Sequence, residues 1–365
     1  MRILHVAETL KGGIATYLNE LIGLQLVNTN ISLLKLCYPE EHDSELLIPR
    51  SSRLPLSKPN RSVLSLLKFG FAVIRAIKIH EPDIIHLHST FSGFLIRLLL
   101  LFYDIKVKIV YCPHGWSFLA ETPFYKKYLF LLVELILQIN TSKIVNISSY
   151  EHTRALSFGF LKKKSILIVN GIAPPPPSND VPNNYRNHKY NFVFVGRLDR
   201  QKGYDLFMEI AENISQRNLD IGFHLVGESV INSDKHIDRK LLSIPRLYRY
   251  GWMERASLFN FLHHSTALIM PSRWEGFGLV AIESLACKCP VIASDRGALP
   301  EILHDFPSWV YGIDDFVENT CNLIIYDVDK IHNTVIDDAE ILRLYSMQRL
   351  AGEVFNLYGS ILIHE

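Results

Sequence analysis

Short aliphatic runs alternate along the chain with longer stretches whose apolar positions recur every three to four residues. Residues 3–7, ILHVA, read as a buried strand, followed by a loop over 8–13 and a helix over 14–27. Residues 31–37 predict the next strand. Apolar residues at helical spacing over 62–80 stop at Pro82-Asp83, which leads into a strand over 84–88. Strands are also predicted over 106–112, 144–148 and 165–169. The pattern breaks at residues 173–177, APPPP, and the polar stretch 178–188. Consecutive prolines favour a stiff extended segment, so this is read as a linker. The alternation then restarts, with strands over 191–195, 221–227, 248–251, 267–270 and 291–294. Helices are predicted over 204–216, 257–264 and 279–287. Strands separated by helices call for parallel sheets with right-handed crossovers. The fold class is therefore α/β, with two doubly wound domains over 1–178 and 179–344. Residues 345–365 form a closing helix expected to pack back on the first domain. Such sheets bind ligands beyond the carboxyl ends of their strands. Chemistry is accordingly expected just after strands, in a cleft between two facing domains.

Composition narrows the function. The 365 residues are 48% hydrophobic and 21% charged, the balance of a globular protein. A net charge of +1 excludes the strongly basic profile of a dedicated nucleic-acid binder. The halves differ: residues 1–178 carry +8 and residues 179–365 carry −7. Five scattered cysteines make no disulfide framework and point to a reducing compartment. The apolar stretches 91–103 and 128–139 are interrupted by Arg97 and Glu134, and each falls short of the ~20 residues that span a bilayer. With no secretory leader at the start, the expectation is a cytoplasmic protein, either soluble or peripheral at the inner face of the cell membrane.

Two segments carry chemistry. In the first, Glu275 follows a strand and Gly276-Phe277-Gly278 opens a helix that runs from Leu279 through Glu283. Glycines let the backbone approach a ligand, and a helix start favours an anion such as a diphosphate. Glu283 is placed to accept hydrogen bonds from a diol. Read structurally, Glu275 would cap the helix and Glu283 would be a solvated charge; the combined string favours a ligand. In the second segment, Arg197 and Lys202 lie in the turn Gly196–Gly203, where nucleotide phosphates usually sit.

Together these segments resemble glycosyltransferase family 4, retaining enzymes of the GT-B fold. The resemblance rests on Glu275-x₇-Glu283, on Gly196-Arg197-x₄-Lys202-Gly203, and on the continuation PVIASDRGALPE. In the first half, Lys11-Gly12-Gly13-Ile14 resembles the family's glycine loop. Pro113-His114-Gly115 resembles its active-site histidine turn, and Val169-Asn170-Gly171-Ile172 its interdomain signature. The resemblance implies that His114 and Glu275 are the catalytic residues, His114 binding the transferred sugar. Gly13, Arg197, Lys202, Gly278 and Leu279 would hold the donor diphosphate. Gly276 and Phe277 would meet the donor sugar through the backbone, and Glu283 the ribose. A nucleotide base is expected near residues 250–254.

No Asp-x-Asp string stands at a strand end to hold a metal, so metal-independent chemistry without a cofactor is expected, with a UDP- or GDP-linked sugar as the donor substrate. Asp314-Asp315 and Asp337-Asp338 read as loop or cap charges. His86 and His88, at i and i+2, have no evident third ligand and are expected to line the acceptor site. The acceptor is expected to be an oligosaccharide or a polyprenyl-diphosphate-linked sugar. Apolar segments mixed with Lys and Arg over 58–78, 97–108 and 125–137 could lie on anionic lipid. The expected function is hexose transfer in O-antigen or capsule synthesis. Alternatives of the same architecture are a nucleotide-sugar epimerase, for which extra acid–base carboxylates are missing, and a phosphorylase, which calls for a much longer chain. A non-catalytic nucleotide-sugar-binding assembly protein would not need the intact motifs.

Overall fold

A computed structural model describes residues 1–57, 62–178, 180–181, 183–217, 219–229 and 243–363. Lys58, with which one of the basic segments begins, and Asn179 and Pro182 of the polar linker lie outside the described residues. The chain divides into two compact units, Met1–Ala173 with Tyr345–Glu365, and Pro174–Leu344.

The first unit is built on seven parallel strands: β1 (Arg2–Ala7), β2 (Leu33–Pro39), β3 (Arg53–Leu56), β4 (Ile84–His88), β5 (Lys108–Cys112), β6 (Lys143–Asn146) and β7 (Ser165–Leu167). Their order is β3-β2-β1-β4-β5-β6-β7, so the winding reverses between β1 and β4. Strands β1 and β4 are buried along nearly their whole length. A parallel sheet covered on both faces explains why these segments read as continuous apolar runs rather than alternating ones. The edge strand β3, RLPL, tolerates Pro55 because an edge position has no second neighbour that needs its N–H. Ser62 and Ser148 cap the helices Val63–His80 and Ser149–Ser157 by accepting from backbone N–H groups, each at 3.2 Å.

The last helix, Met347–Ile363, belongs to this first unit. Ile172 N–H donates to the Tyr345 carbonyl at 2.7 Å, and Met347 N–H to the Ile172 carbonyl at 3.0 Å. The Arg349 guanidinium donates to the carbonyls of Val169 and Asn170 at 2.7 and 3.1 Å. The Asn170-Gly171 signature is thus the place where the end of the chain is tied back.

The second unit has six parallel strands: β8 (Tyr190–Val195), β9 (Ile221–Val226), β10 (Leu247–Tyr250), β11 (Ala267–Met270), β12 (Val291–Ser294) and β13 (Ser308–Tyr311). Their order β10-β9-β8-β11-β12-β13 reverses between β8 and β11. Its core gathers Phe192, Phe194, Phe207 and Phe223 under the helices Tyr204–Ser215 and Phe316–His332. Asp337 accepts from Ala339 N–H at 3.1 Å and so caps the helix Asp338–Leu344. All five cysteines are free and buried. Among the described residues no helix is long and apolar enough to cross a membrane.

The two charges that interrupt the apolar stretches are each other's partners. Arg97, on the helix Thr90–Leu100, donates to Glu134 Oε2 at 2.6 Å, on the helix Phe124–Leu137. Both side chains are buried. Arg97 Nε donates to the Gly93 carbonyl at 2.7 Å, its guanidinium lies 3.8 Å from the centroid of the Tyr111 ring, and the Tyr111 hydroxyl donates to Glu134 Oε1 at 3.1 Å. Removing one partner strands the other charge in a low dielectric. Glu134→Ala is expected to cost about 3–5 kcal/mol. The double replacement Arg97→Met with Glu134→Leu should recover most of that loss, because it leaves no unpaired charge; urea unfolding of the wild type and the two variants checks both statements.

Candidate active site

In the second unit both motif segments leave strands at the reversal. The turn 196–203 follows β8 and the segment 271–278 follows β11. They are tied together. The Arg273 N–H donates to the Gln201 carbonyl at 2.8 Å, and Gln201 Nε2 to the Trp274 carbonyl at 3.2 Å. Lys202 Nζ forms an ion pair with Glu275 Oε1, which also accepts from the Ser272 hydroxyl at 3.2 Å. The Lys202 backbone N–H donates to Asp199 Oδ1 at 3.0 Å. Arg197 reaches Asp199 Oδ2 at 3.0 Å and donates to Gln201 Oε1 at 2.6 Å. Two cations, Arg197 and Lys202, and two carboxylates, Asp199 and Glu275, therefore stand on one pair of loops, paired with one another.

Glu275 is buried and does not cap the helix Leu279–Ala286; Gly278 is the N-cap. The Glu275 carbonyl accepts from Ala298 N–H at 3.2 Å. Gly297 sits beside it with φ 65°, and a Cβ there would overlap that carbonyl. This position admits only glycine without moving Glu275. Gly276, Phe277 and Gly278 are all buried, and Leu279, which begins the helix, is partly exposed. Glu283 is buried rather than solvated, and its Oε1 lies 3.4 Å from the Arg255 guanidinium. Trp252, in the loop after β10, is half exposed.

In the first unit Gly13 is the first residue of the helix Gly13–Leu26, and it is Gly12 before it that takes the left-handed conformation, φ 63°. His114 follows β5 with φ 52°, and Ser89 follows β4 with φ 74°. Two non-glycine residues in this region, at the ends of adjacent strands, mark a strained site. His114 Nε2 lies 3.0 Å from His88 Nδ1, and His88 Nε2 lies 2.9 Å from His5 Nδ1. His5 Nε2 in turn lies 2.8 Å from Gln25 Oε1. His86 Nδ1 lies 2.6 Å from the Tyr358 hydroxyl. His86 and His88 do not line an acceptor site as expected; both are fully buried. The reason is the pleat: His5 pairs with His86 across β1 and β4, His88 lies two residues on, and this face is covered by the helices that carry Gln25 and Tyr358.

Among the described residues, His5, His86 and His88 can bring three ligand nitrogens within 4.8 Å of one another. The geometry favours hydrogen bonding over a metal: His5 Nδ1 and His88 Nε2 stand 2.9 Å apart, and His86 Nδ1 is taken by the Tyr358 hydroxyl. Burial pushes the His5 imidazole down to about 4 and that of His114 to about 3. It holds His86 and His88 well below the usual histidine range, helped by the neighbouring imidazoles. All four rings are therefore neutral at pH 7.

Sequence reasoning missed His5, Gln25, Tyr358, Arg255, Ser272 and Gly297. A usable signal existed for His5, a lone polar ring inside the aliphatic run ILHVA beside IIHLH. The other five gain their places only from the tertiary fold.

The Anabaena protein HepE, in complex with UDP-glucose, superposes with a TM-score of 0.77 over 99% of this chain and 100% of its own, at 16% identity. The two parallel sheets are those of a GT-B glycosyltransferase. Residues 11–174 match the family model described as Glycosyltransferase Family 4, and residues 189–325 that described as Glycosyl transferases group 1. A Klebsiella pneumoniae protein described as an uncharacterized 41.2 kDa protein in the cps region is 32% identical over 318 residues, 84% of each chain. The Escherichia coli UDP-Gal:alpha-D-GlcNAc-diphosphoundecaprenol alpha-1,3-galactosyltransferase is 23% identical over 332 residues, 87% of this chain and 85% of its own. The chain belongs to glycosyltransferase family 4, with relatives in polysaccharide biosynthesis.

The neutral histidines make stability depend on pH. Unfolded, each imidazole takes up a proton near pH 6.5; folded, it does so only at much lower pH. The unfolded state therefore binds more protons in this window, and stability is lost as pH falls from about 6.5 toward 4. The expected slope is up to ~1.4 kcal/mol per pH unit for each histidine that titrates. Chemical denaturation between pH 7.5 and 4.5 should show it, with a shallower slope in His5→Asn.

Proposed function

We propose that this protein is a retaining glycosyltransferase that moves a hexose from a UDP- or GDP-linked donor to a hydroxyl of a polyprenyl-diphosphate-linked saccharide, in surface polysaccharide assembly. The observation that carries the donor half is the Lys202–Glu275 pair beside the start of the helix Leu279–Ala286, at the β8/β11 reversal. The acceptor hydroxyl attacks the anomeric carbon on the face from which the diphosphate leaves. The bond from that carbon to the diphosphate oxygen breaks, and a phosphate oxygen takes the acceptor proton. Negative charge grows on the diphosphate, where Arg197, Lys202 and the backbone of Gly278 and Leu279 stabilise it. Gly13 admits the diphosphate to the first unit's loop. Glu275 and His114 hold the transferred sugar, with the backbone of Gly276 and Phe277 beside Glu275. Glu283 accepts from the ribose hydroxyls, steadied by Arg255. With these cations in place the step needs no divalent metal. The HepE complex with UDP-glucose supports a uridine donor.

The lipid-linked acceptor is supported by the galactosyltransferase relative, which is named for an α-D-GlcNAc-diphosphoundecaprenol acceptor, and by one surface. On the helix Phe124–Leu137 the side chains of Phe124, Tyr125, Tyr128, Leu129, Leu132 and Ile136 are all exposed, Phe124 by 74% and Ile136 by 52%. Lys126 and Lys127 stand among them. The opposite side packs Leu131 and Leu135 on the core and is pinned by Glu134. A helix apolar on both sides, with lysines near its start, suits the plane of an anionic membrane.

Kinetics and liposome binding test the reading. Glu283→Ala should raise the donor KM more than it lowers kcat, because ribose contacts do not change during reaction. Glu275→Gln should lower kcat by ~10²–10³ and spare the affinity for bare nucleotide diphosphate. The assay in saturating EDTA should run at the same rate. Reversed effects in the two variants, or loss in EDTA with rescue by Mn²⁺, would require redrawing the site. For the surface, the protein should bind anionic liposomes, less so as salt rises. Tyr128→Glu with Leu132→Glu should abolish that binding, and unchanged partition would remove the helix from the account.

A further inference from the structure

His114 is joined to the core by a single file of hydrogen bonds: His114 Nε2 to His88 Nδ1, His88 Nε2 to His5 Nδ1, and His5 Nε2 to Gln25 Oε1. The distances are 3.0, 2.9 and 2.8 Å. We propose that Gln25 is a positioning residue that fixes the tautomer of His114 through His5 and His88, so that His114 presents Nδ1 as a hydrogen-bond acceptor to a hydroxyl of the donor sugar. This rests on the reading of His114 as a ligand of the transferred sugar.

The argument is proton counting. A neutral imidazole has one N–H and one bare nitrogen, and each contact between two ring nitrogens holds one proton. The Gln25 amide oxygen can only accept, so His5 carries its proton on Nε2. His5 Nδ1 is then bare and must accept, which puts the His88 proton on Nε2. His88 Nδ1 is bare in turn, so His114 donates from Nε2. The nitrogen left to His114 for other partners is Nδ1, without a proton. The rings are neutral because His5 and His88 are fully buried, and burial holds all the imidazoles of the file below their usual range. Reversing one tautomer alone would set two lone pairs, or two N–H groups, against each other about 3 Å apart in a dry core, so the file switches only as a whole.

Gln25 is buried on the helix Gly13–Leu26, its side-chain oxygen faces His5, and its amide group also meets the Tyr358 hydroxyl, which helps keep that oxygen turned to the file. A leucine or methionine would fill that space at no polar cost. His86, which meets the Tyr358 hydroxyl, lies beside the file but not in it. The Tyr17 ring meets His114 edge-on at 4.6 Å between centroids and helps hold the imidazole plane.

Nitrogen-15 NMR of the histidine rings in the full chain reads the tautomer directly, with His114→Gln used to assign the resonance. In the wild type, His114 should show Nε2 protonated and Nδ1 bare. Gln25→Met, of similar size but without an acceptor, should leave a mixture of the two tautomers. It should also lower kcat by about 10–100-fold, the range for groups that orient another ligand. Affinity for bare UDP should not change. A proton on Nδ1 in the wild type, or an unaltered tautomer in Gln25→Met, overturns the relay. A scrambled tautomer with wild-type turnover overturns the positioning role. His114→Ala at the wild-type rate would sink the sugar-ligand reading, and with it the functional half of the proposal, while the wild-type NMR result judges the relay alone.

Discussion

Parallel strands point every strand-to-helix turn of a sheet to the same edge, and a change in winding direction leaves two neighbouring turns free to diverge. Each unit of this protein has one such reversal, between β1 and β4 and between β8 and β11. What could bind or react follows from that constraint. Lys202 and Glu275 meet because they lie on the turns after β8 and β11. His5, His86 and His88 meet because β1 and β4 are neighbours in register. Gly297 closes the arrangement from the next strand over, where the loop after β12 presses against the backbone of Glu275.

The low dielectric of the interior treats the two polar clusters differently, and residue type decides how. Arg97 stays charged, so it survives burial only with the Glu134 carboxylate against it and an aromatic face above it. Histidine has the option of neutrality. Four imidazoles can share a small space without a counter-ion, because burial removes their charge and leaves hydrogen bonding as the ordering force. The first cluster pins a helix whose outer side is apolar. The second reaches a half-buried ring at a strand end.

Much of this was legible in the residue pattern. The strand over 84–88 was readable because an aliphatic run between turn residues fits almost nothing but a buried strand. The helix from 204 was readable because a 3.6-residue period after a glycine is the mark of an amphipathic helix. The edge strand β3 was not, since four residues with a proline carry almost no periodic signal. The helices Thr90–Leu100 and Phe124–Leu137 showed as apolar stretches, each interrupted by a single charge, because one side is buried and much of the other is apolar too. For the site, the spacing of Glu275 and Glu283 and of Arg197 and Lys202 was enough to bring those residues forward. Their partners were hidden: Arg255 lies 28 residues before Glu283, and Tyr358 lies 272 residues after His86. No local rule links positions so far apart.

The return of the last helix to the first unit bears on how the protein is made. A ribosome delivers residues in order, and domains fold as units during synthesis. The unit Pro174–Leu344 is one continuous stretch of chain and is complete once its last residue has emerged. The unit that begins at Met1 must wait for Tyr358 to cover His86 and for Arg349 to hold the carbonyls of Val169 and Asn170. The half of the protein synthesised first is therefore finished last. Until then His86 lacks the hydroxyl that meets it in the folded chain, and its neutrality rests on a core that is still open on one side.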